Sequence, residues 1–167
     1  MENEEIGTYT IKHPIDSGGM ADVYYAENKL NRPAAIKILK KKYCDDPSVR
    51  DCFIQEARIM VDLIHPNICK FMTLETVKDQ PAIIMEYLDG QSFRTLIGQR
   101  EKLSSEKIKV YFNQSCEALR YTHSRNVIHR DIKPSNIFIT RTNEVKLMDF
   151  GIAKTQEGKG HTLTGQT

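Results

Sequence analysis

His129-Arg130-Asp131-Ile132-Lys133-Pro134-Ser135-Asn136 is followed, thirteen residues after Asn136, by Asp149-Phe150-Gly151. Two carboxylates, a lysine and a carboxamide thus fall within one short stretch of chain. In-line transfer of a phosphoryl group asks little covalent help from a protein, because it is catalysed by positioning and by cations that hold the spreading negative charge. Asp131 can orient a hydroxyl and accept its proton, and Lys133, two positions on, can reach a transferring phosphate. Asn136 and Asp149 are hard oxygen donors of the kind Mg²⁺ takes, alongside phosphates and water.

These residues resemble the catalytic loop and metal-binding triplet of the eukaryotic-type protein kinase family, and the Lys133-Pro134-Ser135-Asn136 ending resembles its serine/threonine branch. Other segments match the family in its order. Ile15-Asp16-Ser17-Gly18-Gly19-Met20-Ala21-Asp22-Val23 resembles the glycine-rich phosphate loop, and Ala34-Ala35-Ile36-Lys37 the lysine motif of the third strand. Glu56 lies in an apolar-periodic segment where that lysine's helix partner belongs. Ile83 to Gly90 reads as a buried strand running into a hinge. Taken singly, a His-Arg-Asp triplet is a solvated turn, a glycine pair a hairpin, Lys37 a surface lysine and Glu56 a solvated helical glutamate. Their order and spacing argue against those readings. The look of the Gly18-Gly19-Met20 loop and the Asp149 to Lys154 run is closest to bacterial members of the family.

The resemblance implies an α+β, two-lobed, protein-kinase-like fold. Residues 1–88 would form the upper lobe, an antiparallel five-stranded sheet with one helix; residues 89–167 would form part of a mainly helical lower lobe. It implies ATP and Mg²⁺ as cofactors, with adenine in the cleft between Ile15, Val23 and Ala35 above and Phe138 below, and with the hinge backbone at Glu86 and Leu88. Gly18 and Gly19 would cover the phosphates. A Lys37 to Glu56 ion pair would fix the lysine on the α and β phosphates, since a lysine stem alone is flexible. Catalytic roles would fall to Asp131, Lys133, Lys37 and Glu56, and metal binding to Asn136 and Asp149. Arg130 implies control by a phosphate in the activation segment, with Thr162, Thr164 and Thr167 as candidate carriers. The chain would end inside that segment, before the Ala-Pro-Glu-type anchor and the helices that complete the lower lobe, and so form an incomplete domain. Regulation through a dimer is left open.

Asp16 stands at the family's first loop glycine, Ala21 at the third, and Phe138 where leucine is usual. At a positive φ, a residue with a Cβ costs about 1 to 2 kcal/mol, which would weaken nucleotide binding. The reading is therefore a protein serine/threonine kinase acting on a protein hydroxyl, with a non-catalytic kinase-like module that binds nucleotide or protein as the alternative. Small-molecule kinases share the aspartates but lack the Arg130 and Lys133 pattern.

Elements that could hold these groups are legible. A three-stranded meander runs from Tyr9 to about Leu39, with Pro14 tolerable at an edge. Ser48 opens a helix that His65-Pro66 ends, carrying Val49, Phe53, Ile59, Met60 and Leu63 at three- and four-residue steps. Strands are expected near Cys69 to Thr76 and Ala82 to Glu86, a short helix near Ser92 to Gln99, and a long helix from Ser104 to His123. On the long helix Ile108, Phe112, Ser115, Leu119 and Thr122 form a stripe, which the remaining lower-lobe helices would cover. Val127-Ile128, Ile137 to Ile139 and Val145 to Leu147 read as short strands around the catalytic loop.

Composition narrows the rest. With 167 residues, 40% of them apolar, the chain can bury a sizeable core. A net charge of +2 gives no electrostatic case for nucleic acid. No apolar stretch approaches a membrane span, and the acidic start is unlike a signal peptide. Cys44, Cys52, Cys69 and Cys116 show no zinc spacing and read as reduced thiols of a cytoplasmic protein.

Overall fold

A computed structural model describes residues 1–99 and 103–150. Strands β1 (Glu5–Ile6), β2 (Tyr9–Ser17), β3 (Ala21–Asn28) and β4 (Pro33–Leu39) follow one another, and β5 (Phe71–Val77) and β6 (Gln80–Glu86) complete an antiparallel sheet of order β1-β2-β3-β4-β6-β5. The sheet thus has six strands rather than five. The added strand is β1, whose Ile6 pairs with Tyr9 and is 2% exposed. Burial of that side chain, with backbone bonds from Asn3 to the Ile11 carbonyl and from Ile11 to that of Glu4, both 2.9 Å, holds so short a segment in place.

Helix α1 (Pro47–Val61) packs on one face of this sheet. It begins at Pro47, a residue earlier than Ser48. Asp46 caps it by accepting the amides of Ser48 at 2.9 Å and Val49 at 3.4 Å, and a proline's fixed φ suits the first turn. Side chains alternate along a strand, so β4 serves two faces. Ala34, Ile36 and Ile38 join a cluster with Ile11, Ala26 and Ile84, whereas Leu39 meets Phe53 and Ala57 of α1. Lys37 falls on the α1 side.

The lower part holds α2 (Phe93–Gly98), α3 (Ser105–Ser124) and a small sheet of β7 (Gly90–Ser92), β8 (Ile137–Thr140) and β9 (Val145–Leu147) in the order β7-β8-β9. Ser92 and Ser104 cap the two helices through hydroxyls that accept the amides of Thr95 and Lys107. Val127-Ile128 is not a strand: Val127 gives its amide to Thr122 at 2.9 Å and Ile128 is exposed. The third strand is β7 instead, and Gly90 permits its approach, since a Cβ there would lie 2.1 Å from the Ile139 carbonyl oxygen.

Of the stripe expected on α3 as the face left for further helices, Ile108 and Phe112 do lie outward, but Thr122 turns in. Tyr111, Ala118 and Thr122 are buried, while Phe112 is 67% exposed and Ile108 also faces outward. Polar contacts help to fix the inward face. Gln114 accepts the Val145 amide at 2.6 Å and the Asn67 amide side chain at 3.0 Å, and the Tyr111 hydroxyl donates to Asn143 at 2.9 Å.

One apolar cluster joins the two lobes: Met60, Leu63, Ile68 and Cys69 from above pack with Tyr111, Ala118, Leu147 and Phe150 from below. Backbone reinforces it where Cys69 donates to the Leu147 carbonyl at 2.9 Å and Leu147 donates to that of Asn67 at 2.8 Å. Among the described residues, no helix is long and apolar enough to cross a membrane.

Candidate active site

Three elements converge on Lys37. Its Nζ donates to Glu56 Oε1 of α1 at 2.8 Å and to Asp149 Oδ1, just past β9, at 2.7 Å. Lys37 and Glu56 side chains are 15% and 13% exposed, and that of Asp149, open toward the cleft, is 44% exposed. Burial alone would lower the lysine's pKa, but the carboxylates of Asp149 and Glu56 outweigh it and hold the ammonium above its ordinary range. The same cation leaves its partners on opposite sides of normal. Burial, with the like charge of Asp149, keeps Glu56 raised despite Lys37, whereas at Asp149 the lysine overcomes burial and the carboxyl is lowered. The open side of Asp149 makes its anionic form the natural one.

A second group sits on the loop between α3 and β8. The Asp131 carboxylate accepts from Lys133 Nζ at 2.7 Å and from Asn136 Nδ2 at 3.0 Å through the same oxygen, Oδ2. Asn136 is 4% exposed and also donates to the Asp131 carbonyl at 2.9 Å, so the loop is closed across five residues by one carboxamide. Behind it, His129 is buried. Its Nε2 donates to the Met148 carbonyl at 2.9 Å, which leaves Nδ1 to accept the Asp131 amide at 3.4 Å. The ring lies 4.5 Å from that of Phe150, itself 2% exposed. His129 therefore ties the loop to the segment bearing Asp149. Met148 adds a second tie by donating to the Asn136 carbonyl at 3.0 Å. Arg130 and Asp149 have φ of 61° and 53°. Left-handed backbone at non-glycine residues is strained, and here it turns both side chains out of regular structure.

The expected adenine-site residues lie on both lobes. Val23 pairs with Lys37 and Tyr25 with Ala35 across β3 and β4, while Phe138 pairs with Lys146 in β8 and β9. Ile15, at the end of β2, is 41% exposed, and Leu88 packs against the inter-lobe cluster. Glu86 does more than its backbone suggested: its Oε1 accepts the Lys70 amide at 2.7 Å and Lys146 Nζ at 2.8 Å, pinning the hinge to β9. In the glycine loop, neither Asp16 nor Ala21 has a positive φ, and neither does Gly18 or Gly19. Asp16 lies in β2 opposite Val23 and Ala21 is buried in β3 opposite Leu39, so the cost expected for a Cβ at these positions does not arise. Thr162, Thr164 and Thr167 lie outside the described residues.

Sequence reasoning did not find the roles of His129 and Lys146. A lysine between Val145 and Leu147 reads as the solvent side of a strand, and only tertiary contact reveals its partner. A cavity of about 660 Å³ lies elsewhere, between Arg58 and Leu63 on one side and Tyr121 and Arg125 on the other, away from these groups.

No cluster of three His, Cys, Asp or Glu side chains suited to a metal occurs among the described residues. What Asp149 and Asn136 offer is a carboxylate and a carboxamide, with the Asn136 backbone bonded to the residue before Asp149. That pair fits Mg²⁺, which binds through few protein oxygens and fills its shell from phosphate and water.

A two-lobed fold with a lysine shared by two acids, above a loop bearing an aspartate, a lysine and an asparagine, defines a phosphotransferase scaffold. Residues 9–166 match the protein kinase domain, and the chain belongs to that family. It is 39% identical over 163 residues to a probable serine/threonine-protein kinase of Streptomyces coelicolor, covering 95% of this chain and 24% of that protein. It is 34% identical over 161 residues to the serine/threonine-protein kinase PknB of Mycobacterium tuberculosis, covering 93% and 26%. The chain thus spans about a quarter of these relatives' length. The crystal structure of the M. tuberculosis PknI kinase domain superposes with a TM-score of 0.78 at 26% identity, covering 92% of this chain and 62% of that one.

Proposed function

We propose that this domain is an ATP- and Mg²⁺-dependent protein serine/threonine kinase that transfers the γ-phosphoryl group to a hydroxyl of a protein. The observation that carries the reading is the shared ammonium of Lys37, held by Glu56 at 2.8 Å and Asp149 at 2.7 Å from three separate elements. Kinship to named serine/threonine kinases supports it. The lobes divide at Leu88, and the cleft between them takes the nucleotide.

Lys37 holds the α and β phosphates with the donor capacity that its two acids leave, while Glu56 keeps the stem from swinging. Ile15, Val23, Ala35 and Phe138 enclose the adenine, the backbone at Glu86 and Leu88 reads its edge, and Gly18 and Gly19 cover the phosphates. Asp149 and Asn136 hold Mg²⁺, which when bound neutralises charge on the phosphate oxygens. Asp131 orients the attacking hydroxyl and takes its hydrogen as the new P–O bond forms and the bond to the β-phosphate oxygen breaks. Lys133, salt-bridged to Asp131, steadies the transferring group. The free thiols of all four cysteines fit a reducing compartment, and we place the domain in the cytoplasm.

Transfer of labelled γ-phosphate to a generic basic protein, with and without Mg²⁺, tests this. Asp131→Asn is expected to lower the rate about 10²- to 10⁴-fold, the span of general-base contributions. No transfer by the unaltered chain, with MgATP still raising its melting temperature, would replace the enzyme by a nucleotide-binding module.

A further inference from the structure

We infer that Lys40 is a positioning residue that holds the glycine-rich loop over the phosphates of a bound nucleotide, a role that rests on the kinase reading above. The loop between β2 and β3 is closed by few backbone bonds: Gly18 donates to the Ala21 carbonyl at 2.9 Å, and Lys40 donates its own amide to that of Met20 at 2.9 Å. The Lys40 side chain then comes in beside them. Its Nζ donates to the Gly18 carbonyl at 2.6 Å and to Ser17 Oγ at 3.3 Å, and pairs with Asp22 Oδ1 at 3.3 Å. Ser17 closes the ring by donating to the same Asp22 oxygen at 2.6 Å. One ammonium thus gathers a carbonyl from the loop, a hydroxyl from its first strand and a carboxylate from its second. With side chains 25% and 32% exposed, Lys40 and Asp22 are partly shielded from screening by water.

Charge gives the arrangement its purpose. Asp16 and Asp22 bring two carboxylates to a loop that, on the kinase reading, covers a polyphosphate. Asp16 turns one oxygen back to the Ser17 amide at 2.8 Å, and Lys40 offsets Asp22. Removing the Lys40 side chain would leave the Gly18 carbonyl without this donor and the loop acidic toward phosphate. Both effects act on the phosphates and neither acts on the adenine face, which is made by Val23 and Ala35. Lys37 and Lys40 thus serve the same phosphates by different routes. The first meets them directly, and the second sets the loop that closes on them.

The test compares MgATP with adenosine, which lacks phosphate, by calorimetric titration of the whole chain and its Lys40→Met and Lys40→Arg variants. A charge-assisted hydrogen bond of ordinary strength predicts about tenfold weaker MgATP binding for Lys40→Met, with adenosine binding changed by less than about twofold. Lys40→Arg, which keeps the charge and donors, recovers most of the loss. Equal weakening of both ligands would assign Lys40 to general stability, and unchanged MgATP binding would remove it from the loop's function. Either result overturns the proposal while the kinase reading stands. An unaltered chain that binds neither ligand overturns the nucleotide reading itself, and this role with it.

Discussion

Lys37 meets carboxylates from α1 and from the segment after β9, so one side chain reports whether three elements are in register. His129 does the same for the loop, with one ring nitrogen on the Met148 carbonyl and the other toward the Asp131 amide. Burial lowers its pKa from 6.5 more than the Met148 hydrogen bond and the nearby aspartates raise it. Below about pH 6.5 the unfolded chain takes a proton that the folded ring resists, so stability is full above that pH and falls as acid is added. His65, also lowered by burial, contributes a slope of the same sign. Melting temperatures of the chain and its His129→Gln variant, followed downward from pH 7, should therefore differ in slope, with the variant flatter. Parallel profiles would mean the imidazole titrates alike in both states.

The strand β1 precedes the stretch matched to the kinase family yet places Ile6 in the upper core at 2% exposure. Truncating a buried isoleucine removes transfer energy and leaves a cavity, so Ile6→Ala should cost about 2 to 3 kcal/mol by urea unfolding. A loss within about 0.5 kcal/mol, the range of surface changes, would show that β1 frays without consequence. At this scale the sequence was legible where periodicity and caps coincide: α1, α2 and the strands from β2 to β6 fall close to their expected places. It was illegible where a polar side chain faces inward. Gln114 anchors α3 through the Val145 amide, a bond invisible to apolar patterning, and Thr122, read as part of the outer stripe with Ile108 and Phe112, is buried instead. The strand expected at Val127 failed for a related reason: its apolar residues carry β propensity, but β7 had already taken the free edge of β8 through a glycine.

For the whole molecule, the sequence shows which residue types could carry the proposed chemistry, whereas the contacts that aim them are not written in it. Nothing in the order of residues says that Glu86 would reach across to Lys146, or that Asn136 would clasp Asp131. The two lobes meet through that hinge bridge, the backbone bonds of Leu147, and the apolar cluster around Leu63 and Phe150. Cys69 sits inside this seam at 1% exposure, with burial pushing its thiol pKa far upward, while Cys116 on α3 lies in the open. A thiol reagent reacts with the thiolate, so Cys69 can be modified only in moments when the seam parts. The protein therefore carries its own clock for opening: followed by mass spectrometry, Cys116 should label at once, and Cys69 at the tempo of lobe separation. Labelling of Cys69 as fast as Cys116 would mean that the seam stands open in solution.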